Sequence, residues 1–501
     1  MTSAPDDSTR SGGSRPWVVL ALILATALGV RLISITHEAV WYDEVMILLH
    51  LDSPNVIQFL RDALPRTPVP PGFMISEYLW SQIAGTEVIA LRMWPMICGI
   101  SGLGVLFVLT RRLLGVRTAL LTTLWVSFLY WHIHYSQEIR YYPLALLLSL
   151  LSMWSFVELC TTRRNGWLAI HFVFNAAMVW THPVTVFLCA AQFMFLLLFR
   201  RREMRMIAFW VGLHLVLGAT LYAFLASLNQ EAAFAQAAWI NPPTLWGRSP
   251  SMKNLVSMFS GVITLIPTNK TGHALYGIEP YTAAALIALH AICGVFGVRA
   301  VLRKPAAPQE TQASPLLPRE VVTLLLLWLI LPPVLVFSVS HIWKPMFVVR
   351  YVLFASIPLY MLLSHFLSAR PRWVTAGALG LLLVHDALFY FPGPNRLPFD
   401  ELAETIENGS DAPPVIYLDD MLGMAPIEYY WKGPKPEFRL PMERDKVLSA
   451  ETRDAGTDIW LVFTNERRYT NYQKALDEEQ IRGELHYLEA SKSFWVVHIQ
   501  P

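Results

Sequence analysis

Two adjacent carboxylates, Asp43 and Glu44, stand beside two aromatics in the stretch Trp41-Tyr42-Asp43-Glu44, just past the first long apolar run of the chain. Charge next to hydrocarbon is costly, so acidic side chains at a bilayer boundary point to function. A carboxylate in this position can take a proton from a hydroxyl that comes within hydrogen-bond reach. The plainer reading is a solvated pair at a helix start, favoured by the positive end of the helix dipole.

Three further stretches carry chemistry. The first is His132-Ile133-His134-Tyr135-Ser136-Gln137-Glu138-Ile139-Arg140-Tyr141-Tyr142-Pro143, a short connection with one acid, one guanidinium, two histidines and three tyrosines. Arg140 offers a planar fork that suits a phosphate or a carboxylate. An aromatic belt with an ion pair is the competing reading. His132 and His134, at i and i+2, are a weak signal for a divalent metal, no HExxH is present, and no cofactor is expected. The second stretch is Trp180-Thr181-His182-Pro183, where a single histidine is most often a packed, hydrogen-bonded residue. The third runs from Trp343-Lys344-Pro345 to Arg350-Tyr351. Its cations read as snorkelling interface anchors or as a phosphate site.

The elements that must position these residues are membrane helices. Of 501 residues, 54% are hydrophobic and only 15% charged, and the mean hydropathy is +0.42. Runs of about 20 apolar residues span a bilayer as helices. Eleven spans are predicted: 17–36, 88–110, 118–134, 142–160, 167–181, 184–199, 206–226, 280–298, 320–339, 348–367 and 373–391. Residues 1–16 are polar and read as a disordered cytoplasmic N-terminus. The run from Trp17 to Ile35 lacks an obvious small-x-small cleavage site, so it reads as an uncleaved first span. Cys98, Cys160, Cys189 and Cys293 lie in or at the ends of apolar runs and read as buried thiols.

Orientation follows the positive-inside rule. With the N-terminus cytoplasmic, seventeen Arg and Lys residues between Arg10 and Arg372 fall in inside segments. Only Arg140, Lys344 and Arg350 fall in the short outside loops. Residues 17–391 thus form a transmembrane domain with long outside loops at 37–87 and 227–279. The loop 37–87 holds an amphipathic run, Val45 to Leu60, followed by a proline cluster. The second holds Asn241-Pro242-Pro243, Trp239, Trp246, Lys270 and His273. The tail 392–501 is richer in charge. Val415–Leu418, Ile459–Phe463 and Phe494–Ile499 read as strands, and Phe399–Asn408 and Asn471–Gln480 as helices. The expected fold is a polytopic α-helical membrane protein with a small extracytoplasmic α/β domain.

All the candidate residues fall on the outer face. Carboxylates on one stretch and cations on others suit a substrate with a phosphate at the interface and a hydroxyl acceptor outside. A lipid phosphate carrying a group to be transferred is such a substrate.

In these residues the chain resembles the GT-C superfamily of membrane glycosyltransferases. The nearest branch is that of the dolichyl-phosphate-mannose protein O-mannosyltransferases and the bacterial lipid A aminoarabinose transferase. The resemblance covers about residues 15–391. It rests on Arg31 ending the first span, Asp43-Glu44, Pro70-Pro71-Gly72-Phe73, Ala90-Leu91-Arg92, Ser136 to Tyr142, Thr181-His182, and Arg350-Tyr351-Val352-Leu353. It implies a polyprenyl-phosphate monosaccharide as donor and transfer with inversion. Asp43 would take the acceptor proton, with Glu44 orienting a cation or a neighbouring loop. Arg140 and Arg350 would stabilise the departing lipid phosphate, and Lys344 is added to them on its charge and position. Arg31, Glu138, Tyr141, His182 and Tyr351 complete the expected substrate- and phosphate-binding set. Many relatives have a histidine before the Pro-Pro element, where this chain has Thr67-Pro68-Val69, so that role does not carry over.

The implied partners are the lipid-linked donor, the bilayer, and a glycan, lipid or protein acceptor, with no nucleic acid. The expected location is a bacterial inner membrane, with the C-terminus extracytoplasmic. A lipid phosphate is already a good leaving group, consistent with the absence of any P-loop or dinucleotide fingerprint. The competing class is a transporter or flippase of a lipid-linked sugar. It calls for internal repeats and mid-span charges, whereas Glu158 and Asp386 lie near span ends and no repeat is found.

Overall fold

Long apolar runs have to satisfy their backbone groups internally, and in lipid that means helices. A computed structural model describes residues 15–33, 35, 39–64, 71–162, 164–231, 279–303, 316–342, 348–390, 398–419, 423–439, 458–464, 469–474, 484–489 and 493–499. The described residues fall into two compact units.

The first unit takes in residues within 1–33, 54–266 and 275–389. Its helices are α1 (Arg15–Ile33), α3 (Val56–Ala63), α4 (Gly72–Ala84), α5 (Val88–Leu114), α6 (Val116–Ser127), α7 (Tyr130–Tyr135), α8 (Tyr142–Thr162), α9 (Asn165–Thr181), α10 (Val186–Phe199), α11 (Met204–Glu231), α12 (Glu279–Leu302), α13 (Pro318–Ile342), α14 (Ile357–Ser368) and α15 (Arg372–Tyr390). Every predicted span has a helix here. Seven are long and apolar enough to cross a membrane by length and composition, and α9 and α10 are shorter apolar helices. Helix α2 (Tyr42–Leu48) lies in the other unit.

Two spans depart from expectation. The segment predicted as 118–134 breaks after Ser127 and restarts as α7. A break frees backbone groups, and charged side chains take them. Arg31 Nη2 donates to the Ser127 carbonyl at 3.2 Å, and Asp386 accepts from the Tyr130 backbone N–H. The segment predicted from 348 begins as a 3₁₀ helix, Val349–Ser356, and becomes α-helical only at Ile357. The amphipathic run expected over Val45–Leu60 is likewise two short helices. Asn55 caps α3 by accepting from the Ile57 and Gln58 N–H groups at 3.1 and 2.9 Å, a strongly preferred N-cap residue in its usual role.

Inside the helical unit, Ser152 on α8 donates to Asn175 Oδ1 on α9 at 2.5 Å. Asn175 donates to Gln192 Oε1 on α10 at 3.1 Å, and Gln192 donates back to the Ser152 hydroxyl at 2.8 Å. The three side chains close a ring, all fully buried. His214 Nε2 on α11 sits 2.7 Å from the Asn175 amide nitrogen.

The second unit joins residues within 34–53 to the C-terminal tail. The loop expected as one piece, 37–87, therefore divides after Ser53. A five-stranded sheet has the order β2-β1-β3-β5-β4, with β1 Val415–Leu418, β2 Glu437–Arg439, β3 Ile459–Phe463, β4 Glu484–Glu489 and β5 Ser493–Ile499. β1 runs parallel to β2 and β3, and β5 runs antiparallel to β3 and β4. Alternation sets two faces. Ile416, Leu418, Trp460, Val462, Phe494 and Val496 form one core with Phe399, Leu402, Ala403 and Ile406 of α16 (Phe399–Asn408), and with Ile427 of α17 (Met424–Tyr430). Val415, Tyr417, Ile459, Leu461, Phe463, Val497 and Ile499 cover the other face. The α16 residues recur at i, i+3, i+4 and i+7, the core stripe of a helix. The helix predicted over Asn471–Gln480 is present at 469–474, and its remainder lies outside the described residues.

Candidate active site

In the helical unit the connection 130–141 is held from below by Arg31. This residue is fully buried. It donates to the Ala27 carbonyl at 2.7 Å and to His132 Nδ1 at 2.7 Å. Gln137 donates back to the Arg31 carbonyl at 2.6 Å. An imidazole whose Nδ1 accepts carries its proton on Nε2. His132 Nε2 is buried and has no hydrogen-bond partner among the described residues. Further along, Glu138 is buried and pairs with His134 Nε2 at 3.1 Å.

Above this base sits an aromatic and cationic cluster. The Arg140 guanidinium lies 4.8 Å from the centre of the Tyr141 ring, within the range of a cation–π contact. Tyr141 meets the edge of His182 at a centroid distance of 4.6 Å, and Tyr351 meets the same ring at 4.9 Å. Arg350, on the 3₁₀ segment, lies 5.8 Å from the Tyr351 ring centre. Tyr142 stacks at a tilt on both Tyr135 and Tyr141, and Phe73 of α4 reaches Tyr141 edge-on at 6.5 Å. A cleft with about 390 Å³ of empty space is lined by His132, Tyr135, Ser136, Tyr142, His182, Arg350 and Tyr351 on its polar side and by Leu146, Leu353 and Phe354 on its apolar side.

Burial first, and then the Arg140 and Arg350 charges, lower the His182 pKa to about 3. His182 is therefore a neutral imidazole at working pH. Its Nε2 is buried with no hydrogen-bond partner among the described residues. Burial also pushes the Tyr141 phenol up, against the opposing pull of Arg140 and Arg350. Arg140, Arg350 and Glu138 thus bring charge to this cluster, among neutral rings and protonated phenols.

A close backbone approach locks the start of α4 to this cluster. A β-carbon on Gly72 would stand 2.8 Å from the Trp180 carbonyl oxygen and 2.9 Å from Thr181 Oγ1. Only glycine permits α4 to start against the end of α9.

Of the expected residues, Arg140, Tyr141, His182, Arg350 and Tyr351 are brought together, with Arg31 behind them through His132 and Glu138 on the same turn. Asp43 and Glu44 belong to the second unit. There Asp43 is half-buried and Glu44 fully buried, so Asp43 is the more accessible of the two. Lys344 lies outside the described residues, as do Thr67-Pro68-Val69 and the aromatic and basic residues expected in 227–279. Sequence reasoning left out His132 as a cleft residue, Tyr135, Tyr142 and the backbone-holding Asp386. The tyrosines and the His132-x-His134 pair were visible as an over-rich turn; Asp386 gave only the signal of an acid near a span end. Among the described residues no group of three His, Cys, Asp or Glu side chains is placed to hold a metal ion.

Residues 68–225 match the family model described as dolichyl-phosphate-mannose-protein mannosyltransferase. Among curated proteins none matches the chain. Among solved structures, the oligosaccharyltransferase AglB of Archaeoglobus fulgidus, in complex with an inhibitory peptide and a dolichol-phosphate, is similar at a TM-score of 0.52 and 13% identity. The match covers 96% of this chain and 74% of that one. The same enzyme in its apo form gives 0.52 and 12%, covering 97% and 75%. ArnT of Cupriavidus metallidurans, bound to undecaprenyl phosphate, gives 0.47 and 13%, covering 97% and 98%. The chain shares its fold with the oligosaccharyltransferase AglB of Archaeoglobus fulgidus.

Proposed function

We propose that the protein transfers a monosaccharide from a polyprenyl-phosphate carrier to a hydroxyl acceptor on the outer face of a bacterial inner membrane, inverting the anomeric centre. The observation that carries this reading is a cleft with an apolar wall lined by Arg350 and the neutral His182, with the Arg140 charge near enough to act on that imidazole. The known ligands of the similar structures, dolichol-phosphate for AglB and undecaprenyl phosphate for ArnT, are of the chemical kind such a cleft would take.

In this reading Asp43 takes the proton of the acceptor hydroxyl. The acceptor oxygen forms its bond to the anomeric carbon as the bond from that carbon to the phosphate oxygen breaks. The electron pair leaves with the lipid phosphate, whose added negative charge Arg140 and Arg350 stabilise. Positioned cations aimed at developing charge in a water-poor site are commonly the largest contribution to rate. Lys344 joins them on its charge and sequence position. His132 and His182 offer neutral contacts to phosphate or sugar oxygens, Tyr141 and Tyr351 hold His182 between them, and Glu138 with Arg31 fixes the turn. Glu44, buried, orients the Asp43 segment.

The test is the purified protein with a panel of polyprenyl-phosphate sugars, following donor consumption and product by mass spectrometry. One donor is expected to be consumed in the presence of an acceptor extract, and Asp43→Asn is expected to abolish this while leaving the protein folded in detergent. Full activity in Asp43→Asn would refute the assignment of the base. Movement of intact donor across vesicle membranes with no cleavage would refute the transferase reading itself.

A further inference from the structure

The segment that carries Asp43 is too short to hold itself. Helix α2 has seven residues, well under the length at which an isolated helix is stable in water. Its N-cap, Trp41, is extended and makes no side-chain cap bond. The Trp41 carbonyl accepts from the Glu44 and Val45 N–H groups at 2.9 and 3.0 Å, so wherever the backbone at 40–41 is fixed, Asp43 is fixed with it.

The structure shows what fixes it. The Val40 backbone N–H donates to the Tyr430 hydroxyl at 2.7 Å. Val40 is 2% exposed. Tyr430 closes α17, and α2 packs on α17. α17 is itself rooted in the sheet, because Ile427 lies in the core with Ile416, Leu418 and Trp460, and Tyr430 packs against that core. A continuous line therefore runs from the sheet through Ile427 and Tyr430 to Val40, the Trp41 carbonyl and Asp43.

We infer that Tyr430 is a positioning residue: the C-terminal domain holds the Asp43 segment through the Tyr430 hydroxyl and so sets the turnover rate. This rests on the reading of Asp43 as base. It gives the tail a part in the reaction although the matched family segment ends far upstream of it, at residue 225. Loss of the hydroxyl leaves a buried N–H without its acceptor and lets the segment drift, and misplacement of a reacting group by about 1 Å can cost on the order of 100-fold in rate.

The experiment compares full-length Tyr430→Phe with the parent protein by two readouts. Hydrogen exchange of peptides covering 40–48 is expected to quicken several-fold, while peptides of β1 and β3 exchange as before, which also shows that the variant folds. With a consumed donor, kcat is expected to fall about 5- to 30-fold with donor KM within twofold. Tyr417→Phe, which deletes a hydroxyl that accepts from Arg439 in the same domain, is expected to change neither. Unchanged exchange at 40–48, or unchanged kcat, in Tyr430→Phe would overturn the inference. Failure of the base assignment is read separately in Asp43→Asn, and the exchange result does not depend on it.

Discussion

The contact at Gly72 makes a sharp demand on the structure. In Gly72→Ala the new methyl would stand 2.8 Å from the Trp180 carbonyl oxygen and 2.9 Å from Thr181 Oγ1. Carbon and oxygen approach comfortably to roughly 3.4 Å, so one backbone must withdraw by about 0.5 Å. The carbonyl belongs to the last turn of α9, and Thr181 Oγ1 is already committed to the Ala177 carbonyl at 2.8 Å, so neither atom can swing aside as a flexible side chain would. The withdrawal therefore moves α4 with Phe73 or the turn with His182. Overpacking of this kind costs about 1–3 kcal/mol, and the shift at His182 and Tyr141 is expected to lower kcat about 10-fold or more. Gly104→Ala supplies the contrast. A methyl there meets nothing within 4 Å in a helix, so it should leave stability unchanged or raise it by about 0.5–1 kcal/mol. Thermal unfolding in detergent and donor turnover check both variants. A Gly72→Ala protein with the parent midpoint and the parent kcat would refute the locked contact.

Further outcomes follow from the same cluster. His182 has a folded-state pKa of about 3 against 6.5 when unfolded. The unfolded chain therefore binds the extra proton between those values, and stability falls as pH drops from 6.5 toward 3. The slope is at most about 1.4 kcal/mol per pH unit. His182→Gln should flatten the pH dependence of unfolding in that window by this amount, and an unaltered difference curve would count against a buried neutral imidazole. Arg140→Ala should raise donor KM or stop turnover. Arg140→Lys keeps the charge but loses the planar fork and the ring contact, and should recover only part of the activity, at about 10-fold below the parent. Equal activity in all three proteins would return Arg140 to a structural role. Arg31→Met removes the donor to the Ser127 and Ala27 carbonyls and to His132. It should lower the unfolding midpoint, at a cost of about 3 kcal/mol or more, before any effect on donor binding is considered; an unmoved midpoint would show that the break after Ser127 needs no guanidinium.

Much of this architecture is legible in the chain because lipid allows so few solutions. The eleven apolar runs each have a helix, and the three strands read from Val415, Ile459 and Phe494 lie in the sheet. What escaped was decided by contacts distant in sequence. No local pattern in 118–134 announces a break at Phe128, because the groups that stabilise it, Arg31 and Asp386, come from α1 and α15. The 3₁₀ start at Val349 has the composition of an ordinary helix. Strands β2 and β4 are short or evenly polar, and only their neighbours give them away. In the candidate site, the charge and aromatic excess of 132–142 singled out a turn that the structure packs against His182. The sequence could not say that His182 would be wedged between Tyr141 and Tyr351, 210 residues apart in the chain, nor that the Asp43 segment groups with the tail.

The closed ring of Ser152, Asn175 and Gln192 has a consequence for how the membrane helices find one another. Apolar helices in lipid can slide or rotate with little penalty, since hydrocarbon and leucine are alike as neighbours. A ring in which each member gives one hydrogen bond and takes one closes only at a single height and a single rotation of α8, α9 and α10. Displacement by one helical turn, about 5.4 Å, strands three polar groups in hydrocarbon at once. The ring therefore acts as a keyed joint that rejects near-miss assemblies during insertion, and α9, which carries His182 at its end, enters the finished bundle already at its working depth.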